Sequence, residues 1–114
     1  MITLYGIPNC DTIKKARTWL DNQGIEYIFH NYKKLGITEK QLKQWIKQLG
    51  WETLLNKRGT TWRQLDESVR ESINETTAVQ IMMANPSIIK RPVLDTNGKI
   101  TAGFTEQDYK KILL

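Results

Sequence analysis

The order of elements in the first thirty residues is the feature that most restricts the fold. Residues 2–5 are a short β-prone run, and a loop then leads into a helical pattern that starts at Asp11. Apolar side chains recur at helical spacing until Gly24, which stands where a helix C-terminus is expected. Residues 25–30 predict a second strand. Because a β-α-β unit joins its strands by a right-handed crossover, this order predicts a parallel strand pair.

The middle of the chain, from about residue 36 to residue 86, is predicted to be helical. Thr38 has a glutamine three residues later, the spacing of a capping box, and an apolar stripe follows until Gly50. A basic loop is predicted at residues 57–61. Pro86 ends the helical part because a residue before proline is pushed out of the helical region. Shorter helices are predicted at residues 51–55, 65–73 and 77–84.

The C-terminal part predicts two strands and a helix. The strands are residues 93–95 and 99–102, and Asn97-Gly98 between them is the strongest short hairpin signal. Thr105 is predicted to cap the last helix. We therefore predict an α/β fold in one domain over residues 1–114, in which β-α-β and β-β-α halves share a four-stranded mixed sheet and flank a helical insertion.

Composition limits the environment and the ligands. Apolar residues make up 39% of the 114 residues and include four tryptophans, enough for one core without metals or disulfides. No apolar run approaches the roughly 20 residues that span a bilayer. The N-terminus lacks a basic, apolar leader, so we expect a cytoplasmic protein. A monomer is the default expectation. The charge of +5 is spread along the chain, which favours anionic ligands over direct contact with nucleic acid.

Cys10 is the single cysteine and the strongest candidate for chemistry. A thiol at a helix start lies near free N–H groups and the positive end of the helix dipole, which stabilise the thiolate and lower the pKa. Lys14 and Lys15 add positive charge in the first turn, whereas Asp11 opposes it. A buried, inert cysteine remains the alternative.

Two known types of cysteine site and a metal cluster are excluded by counting. A Cys-x-x-Cys pair requires a cysteine at position 13, where Ile13 stands, and a phosphatase-like loop requires an arginine at position 16, where Ala16 stands. One cysteine and one histidine cannot supply a Cys/His metal site, so we expect no metal. A redox cycle at a lone cysteine must therefore be completed by an outside thiol.

Four other residues have two interpretations each. Arg58 and Arg91 have the fork that binds oxyanions at two points, but taken alone each is more readily a solvated surface charge. Pro92 precedes a predicted strand, where proline is tolerated in either the trans or the cis form. His30 ends the second strand, and we favour a polar strand end over a catalytic base because no acidic or metal partner is near it in the sequence.

Three motifs together resemble the arsenate reductase/Spx family, and most closely its YffB-like subgroup. They are residues 4–12 (LYGIPNCDT), 54–63 (LLNKRGTTWR) and 89–93 (IKRPV). The resemblance implies a thioredoxin-like fold in which Cys10 is the nucleophile, Arg91 binds the oxyanion and Pro92 is cis and faces Cys10. We add Asn9, Lys14 and Arg58 as further anion-binding candidates.

The chain also departs from the pattern of the glutaredoxin-dependent arsenate reductases. They have a histidine where Gly6 stands, and a binding arginine where residues 103–105 contain none. Another binding arginine of these reductases aligns near Asn56. Arg58 is therefore two residues away from the position of that arginine.

Three functions remain after these departures. The first is a glutathione-dependent thiol/disulfide reductase that takes disulfide or oxyanion substrates, with glutathione as co-substrate or glutaredoxin as partner and no bound cofactor. The second is an arsenate reductase. The third is an Spx-like regulator that binds RNA polymerase, in which Cys10 is incidental.

Overall fold

A computed structural model describes residues 1–114 and contains one four-stranded sheet in the order β2-β1-β3-β4. β1 pairs parallel with β2 and antiparallel with β3, and β3 pairs antiparallel with β4. This is the predicted thioredoxin-like arrangement of β-α-β and β-β-α halves. The strands are β1 Ile2–Gly6, β2 Ile28–Asn31, β3 Val93–Thr96 and β4 Lys99–Ala102.

Eight α-helices and one 3-10 helix surround the sheet, and five of the α-helices lie wholly between residues 36 and 86. The α-helices are α1 Asp11–Asn22, α2 Tyr32–Leu35, α3 Glu39–Leu49, α4 Trp51–Leu54, α5 Thr60–Arg63, α6 Glu67–Glu71, α7 Glu75–Ala84 and α8 Glu106–Leu113, and the 3-10 helix is Pro86–Ile88. None of these helices has the length and apolar character needed to cross a membrane.

Local signals in the sequence place several element ends correctly. The capping box of α3 forms between Thr38 and Gln41, whose side chains and main-chain N–H groups bond reciprocally. Thr105 caps α8 by accepting the N–H of Asp108 at 3.1 Å. Asn97 and Gly98 take φ values of 53° and 97°, the left-handed pair that a tight two-residue hairpin requires.

Three boundaries differ from the sequence expectations. β2 begins at Ile28, and not at residue 25, because only Ile28 to Asn31 pair with β1. The predicted basic loop is shorter than 57–61, since α5 already begins at Thr60. The predicted helix at 65–73 contracts to the five residues of α6.

Asparagine caps explain two further differences. Asn74 forms a capping box with Thr77, so α7 begins two residues earlier than the apolar pattern indicates. The side chain of Asn31 accepts the N–H groups of Lys33 and Lys34, which starts α2, a helix that the sequence analysis does not predict.

The two faces of the sheet bury two separate clusters. The insertion layer has fifteen buried residues, to which the sheet contributes Tyr5, Val93 and Ile100. The α1/α8 layer has six: Leu4, Ala16, Trp19, Leu20, Leu94 and Tyr109. Because successive strand side chains point to opposite faces, the neighbours Leu4 and Tyr5 enter different layers.

Candidate active site around Cys10

Cys10 lies at the junction between β1 and α1. It is the N-cap residue of α1, with extended backbone angles of −134° and 127°, and its carbonyl accepts the N–H of Lys14 at 3.0 Å. The thiol is free and half-buried, and as a neutral group it makes no capping hydrogen bond. The sulfur is therefore accessible and next to helix N–H groups that have no partner inside the helix.

Pairing of β1 with β3 brings Arg91 to the same place. Tyr5 is opposite Val93 in this antiparallel pair, so the residues before Val93 run alongside the loop that follows β1. The Arg91–Pro92 bond is cis, as the resemblance predicts, and Pro92 is buried. Arg91 is half-buried, and its Nη1 donates to the carbonyl of Ser87 at 2.8 Å.

The pKa of Cys10 is lowered from its ordinary value of 9.0 by the groups around it. Burial alone raises the pKa, but the N–H of Ile13, the side chain of Arg91 and the N–H of Thr12 outweigh it by bonding to the thiolate. Thr12 and Ile13 are the second and third helical residues, whose N–H groups a capping side chain reaches. The main cation at the sulfur is Arg91, whereas the exposed Lys14 is not among the groups that lower this pKa.

Arg91 is held between two groups that stabilise its charge. Burial alone lowers its pKa, but a hydrogen bond to Cys10 and the interaction with Tyr32 raise it above the ordinary value. The guanidinium therefore stays charged and faces the sulfur. A thiolate beside a half-buried cation at a helix start is a geometry suited to nucleophilic attack.

Tyr32 is a member of this site that the sequence analysis does not identify. It is fully buried, and its hydroxyl donates to the carbonyl of Ile89 at 2.8 Å. Burial raises its pKa to about 12, so the phenol is neutral at pH 7. No local pattern could place Tyr32 here, because its partner lies 57 residues further along the chain.

The remaining candidates lie at different distances from this centre. Asn9 is exposed and lines a small depression beside the Cys10 loop with Lys33 and Lys34. Arg58 is exposed and lines another depression on the insertion, and its carbonyl accepts a hydrogen bond from Arg63. No side-chain hydrogen bond or ion pair of the structure connects Asn9 or Arg58 with Cys10.

His30 and Gly6 contribute to packing around the site. The Nε2 of His30 lies 2.9 Å from the carbonyl of Gly36, and its ring packs against Tyr5 with centroids 4.8 Å apart. A Cβ on Gly6 would lie 2.2 Å from Cδ1 of Ile13 and 3.9 Å from Cβ of Arg91. Gly6 thus permits the close approach of α1 to the sheet at the site.

The fold and this site can now be compared with known proteins. The sequence model of the ArsC family matches residues 5–112, which is nearly the whole chain. The chain belongs to the ArsC family. The resemblance predicted from the motifs is therefore confirmed.

Curated members related to this ArsC-family chain include an uncharacterized protein of Haemophilus influenzae and the global transcriptional regulator Spx of Staphylococcus aureus. The Haemophilus protein is 48% identical over 110 residues, which is 96% of each chain. Spx is 26% identical over 115 residues, covering 99% of this chain and 87% of Spx.

Two solved structures are similar over almost all of this ArsC-family chain. A protein named YFFB has 46% identity, complete coverage of both chains and a TM-score of 0.96. An arsenate reductase (ArsC) related protein of Brucella melitensis has 47% identity, 99% and 95% coverage and a TM-score of 0.80. The similarity includes the strand, loop and helix that position Cys10.

Proposed function

We propose that the protein is a glutathione-dependent thiol/disulfide reductase that uses Cys10 as its nucleophile. The observation that supports this most directly is the lowered pKa of a free, accessible thiol next to the Arg91 guanidinium. A thiolate at neutral pH is the reactive form in disulfide exchange. The cytoplasm, where glutathione is abundant and reduced, is the compartment that fits this chemistry.

The proposed reaction has two exchange steps. The Cys10 thiolate attacks the glutathione sulfur of a protein–glutathione mixed disulfide, so that the substrate leaves as a thiolate and Cys10 becomes a mixed disulfide with glutathione. A second glutathione thiolate then attacks the glutathione sulfur of that disulfide. Glutathione disulfide leaves, and the Cys10 thiolate is regenerated. An outside thiol is needed because the chain has no second cysteine.

Binding of glutathione is assigned to the cationic residues around the sulfur. Arg91 has the geometry to hold a carboxylate because its guanidinium is already half-buried and faces Cys10. Asn9, Lys14 and Arg58 are proposed as exposed, weaker contacts, and Pro92 as part of the wall beside Cys10. Glutaredoxin is the alternative source of the second thiol.

The test is a comparison of the wild type with Cys10→Ser. The rate of alkylation by iodoacetamide against pH gives the pKa of Cys10, and mass spectrometry after exposure to glutathione disulfide detects the mixed disulfide. We expect a pKa below 9.0, one glutathione adduct per chain and no thiol transfer by Cys10→Ser, whose circular dichroism should match the wild type. A wild-type pKa at or above 9.0, or a fully active Cys10→Ser variant, would contradict the proposal.

Arsenate reduction is a second candidate because Arg91 faces Cys10 and the Brucella relative is named as arsenate reductase related. In that case the Cys10 thiolate attacks arsenate and displaces water or hydroxide, and glutathione supplies the reducing electrons. Coupled assays with arsenate and with a glutathione mixed disulfide, run in parallel, separate the two candidates.

An Spx-like regulator is a third candidate, supported by the similarity to Spx along 99% of this chain. It predicts retention of RNA polymerase on immobilised wild type and Cys10→Ser alike. Equal capture by both variants, together with an ordinary thiol pKa, would favour regulation over catalysis.

A further inference from the structure

The segment that carries Arg91 is fixed on one side by the helical insertion. Residues 54–56 and 88–90 form an antiparallel bridge, in which the carbonyl of Ile88 accepts a hydrogen bond at 2.8 Å and the N–H of Lys90 donates one at 2.7 Å. Ile89 has an extended backbone. Successive carbonyls of an extended segment point in opposite directions, so the carbonyl of Ile89 points away from the bridge.

Tyr32 occupies the other side of this segment. Its hydroxyl donates to the Ile89 carbonyl at 2.8 Å, and both residues are completely buried. A buried carbonyl needs a partner, and no main-chain N–H bonds to this one. Residues 88–90 are therefore hydrogen-bonded to the insertion on one side and to the hydroxyl of Tyr32 on the other.

Arg91 follows two residues after the carbonyl that Tyr32 holds. Arg91 interacts with both Tyr32 and Cys10, and it donates separately to the carbonyl of Ser87 at 2.8 Å. The guanidinium is thus bonded to Ser87 on a backbone segment that Tyr32 fixes, and it interacts with the Cys10 sulfur. A side chain as flexible as arginine gains a defined orientation from such contacts.

We propose that Tyr32 is a positioning residue whose hydroxyl, bonded to the Ile89 carbonyl, keeps the Arg91 guanidinium directed at Cys10. The proposal rests on the proposed function in one respect, namely that Cys10 is the reactive group. The hydroxyl of Tyr32 bonds to the Ile89 carbonyl and not to Cys10. Its effect on thiol reactivity passes through Arg91.

The first experiment removes the hydroxyl and keeps the ring. Tyr32→Phe should alkylate at Cys10 about two- to tenfold more slowly at pH 7 than the wild type, and its rate–pH profile should move to higher pH, which is the effect of losing one buried hydrogen bond. Tyr109→Phe is the matched control. Tyr109 is equally buried, lies in the α1/α8 layer and has no hydrogen-bond partner for its hydroxyl, so its profile should coincide with the wild type.

A double-mutant cycle tests the route of the effect. In an Arg91→Ala background, Tyr32→Phe should leave the alkylation profile unchanged, because the group through which Tyr32 acts is absent. If Tyr32→Phe slows alkylation by the same factor with and without Arg91, the positioning role is refuted. An unchanged profile for Tyr32→Phe in the wild-type background refutes it as well.

A measurement on the wild type covers the case in which Tyr32→Phe does not fold. The hydroxyl proton of Tyr32 should exchange slowly enough to be seen by NMR and should show a nuclear Overhauser effect to the guanidinium protons of Arg91. Absence of that contact would overturn the proposal. Failure of the proposed function gives a different result: a wild-type Cys10 that reacts like an ordinary thiol.

Discussion

The two layers of the molecule each bury one tyrosine completely, but they treat its hydroxyl differently. In the insertion layer, Tyr32 donates to the Ile89 carbonyl at 2.8 Å and lies beside Arg91. In the α1/α8 layer, Tyr109 packs edge-on against Trp19 and Phe104, and no group of the protein bonds to its hydroxyl. In the insertion layer the buried hydroxyl of Tyr32 is part of the candidate site. The α1/α8 layer packs around Tyr109 without using its hydroxyl.

This difference shows how the candidate site is assembled. Cys10 belongs to the start of α1, which packs in the α1/α8 layer, while Arg91 and Tyr32 come from the side of the insertion layer. The two sets of residues meet near the end of β1 and the start of β3. The reactive group and the groups that tune it therefore depend on different parts of the core.

The largest effect is expected from the loss of Arg91, which lies where the two layers meet at the Cys10 site. Arg91→Ala should weaken binding of a carboxylate or oxyanion ligand by about 1.5–3 kcal/mol, the range for a hydrogen bond to a charged group. It should also raise the pKa of Cys10, because the guanidinium lowers it. Calorimetric titration with glutathione would measure the first effect.

Arg58→Ala is the matched control for that measurement. Arg58 is exposed on the insertion, and no hydrogen bond joins it to Cys10, so its loss should change binding much less. Equal losses for the two variants would show that Arg91 acts only through general positive charge.

The second prediction compares the stability of the two tyrosine variants. Tyr32→Phe leaves the buried Ile89 carbonyl without its partner, so the free energy of unfolding should fall by about 1–3 kcal/mol. Tyr109→Phe removes a buried hydroxyl that has no partner, so stability should be unchanged or slightly higher. Urea unfolding of both variants measures the difference. Equal losses in the free energy of unfolding would contradict the view that only the Tyr32 hydroxyl has a structural partner.

The third prediction concerns the contact between β1 and α1. Gly6→Ala places a Cβ within 2.2 Å of Ile13 Cδ1, and we expect a loss of about 1 kcal/mol because this methyl is the end of a side chain that can partly rearrange. Adding Ile13→Val, which removes Cδ1, should recover part of the loss. Gly59→Ala is the control, since the nearest atom there belongs to the side chain of Asn56 at 3.1 Å.

The smallest effect is the pH dependence of stability that Cys10 contributes. The folded pKa is lowered, so the contribution is fully present above the ordinary value of 9.0 and is lost as the pH falls through the folded pKa. The stability of the wild type relative to Cys10→Ser should therefore rise with pH up to about 9. A flat difference would mean that the thiolate is not stabilised by folding.

The stability that Tyr32 contributes has the opposite dependence on pH. Its pKa is raised from 10.0 to about 12, so its contribution is present below pH 10 and is lost as the pH rises toward 12. Comparison of Cys10→Ser with the wild type below pH 10 separates the two effects.

Several elements of the fold follow from short stretches of sequence. The capping box at Thr38, the Asn97-Gly98 hairpin and the helix that starts after Cys10 each depend on residues within a few positions of one another. Local geometry is enough to determine such features. The sequence analysis did not predict α2 or the correct start of α7, because these helices begin at asparagine caps and not at the first residue of an apolar pattern.

The sequence by itself determined that a single thiol stands at a helix start after a parallel-strand unit, and its motifs indicated Arg91 and the cis Pro92 by resemblance. Only the tertiary structure decided which cation reaches the sulfur and what holds it. Lys14 is four residues from Cys10 and remains exposed, whereas Arg91 is far away in the sequence and lies against it. The physical reason is that the register between β1 and β3, together with the burial of Tyr32 under the insertion, is set by long-range packing that no local spacing encodes.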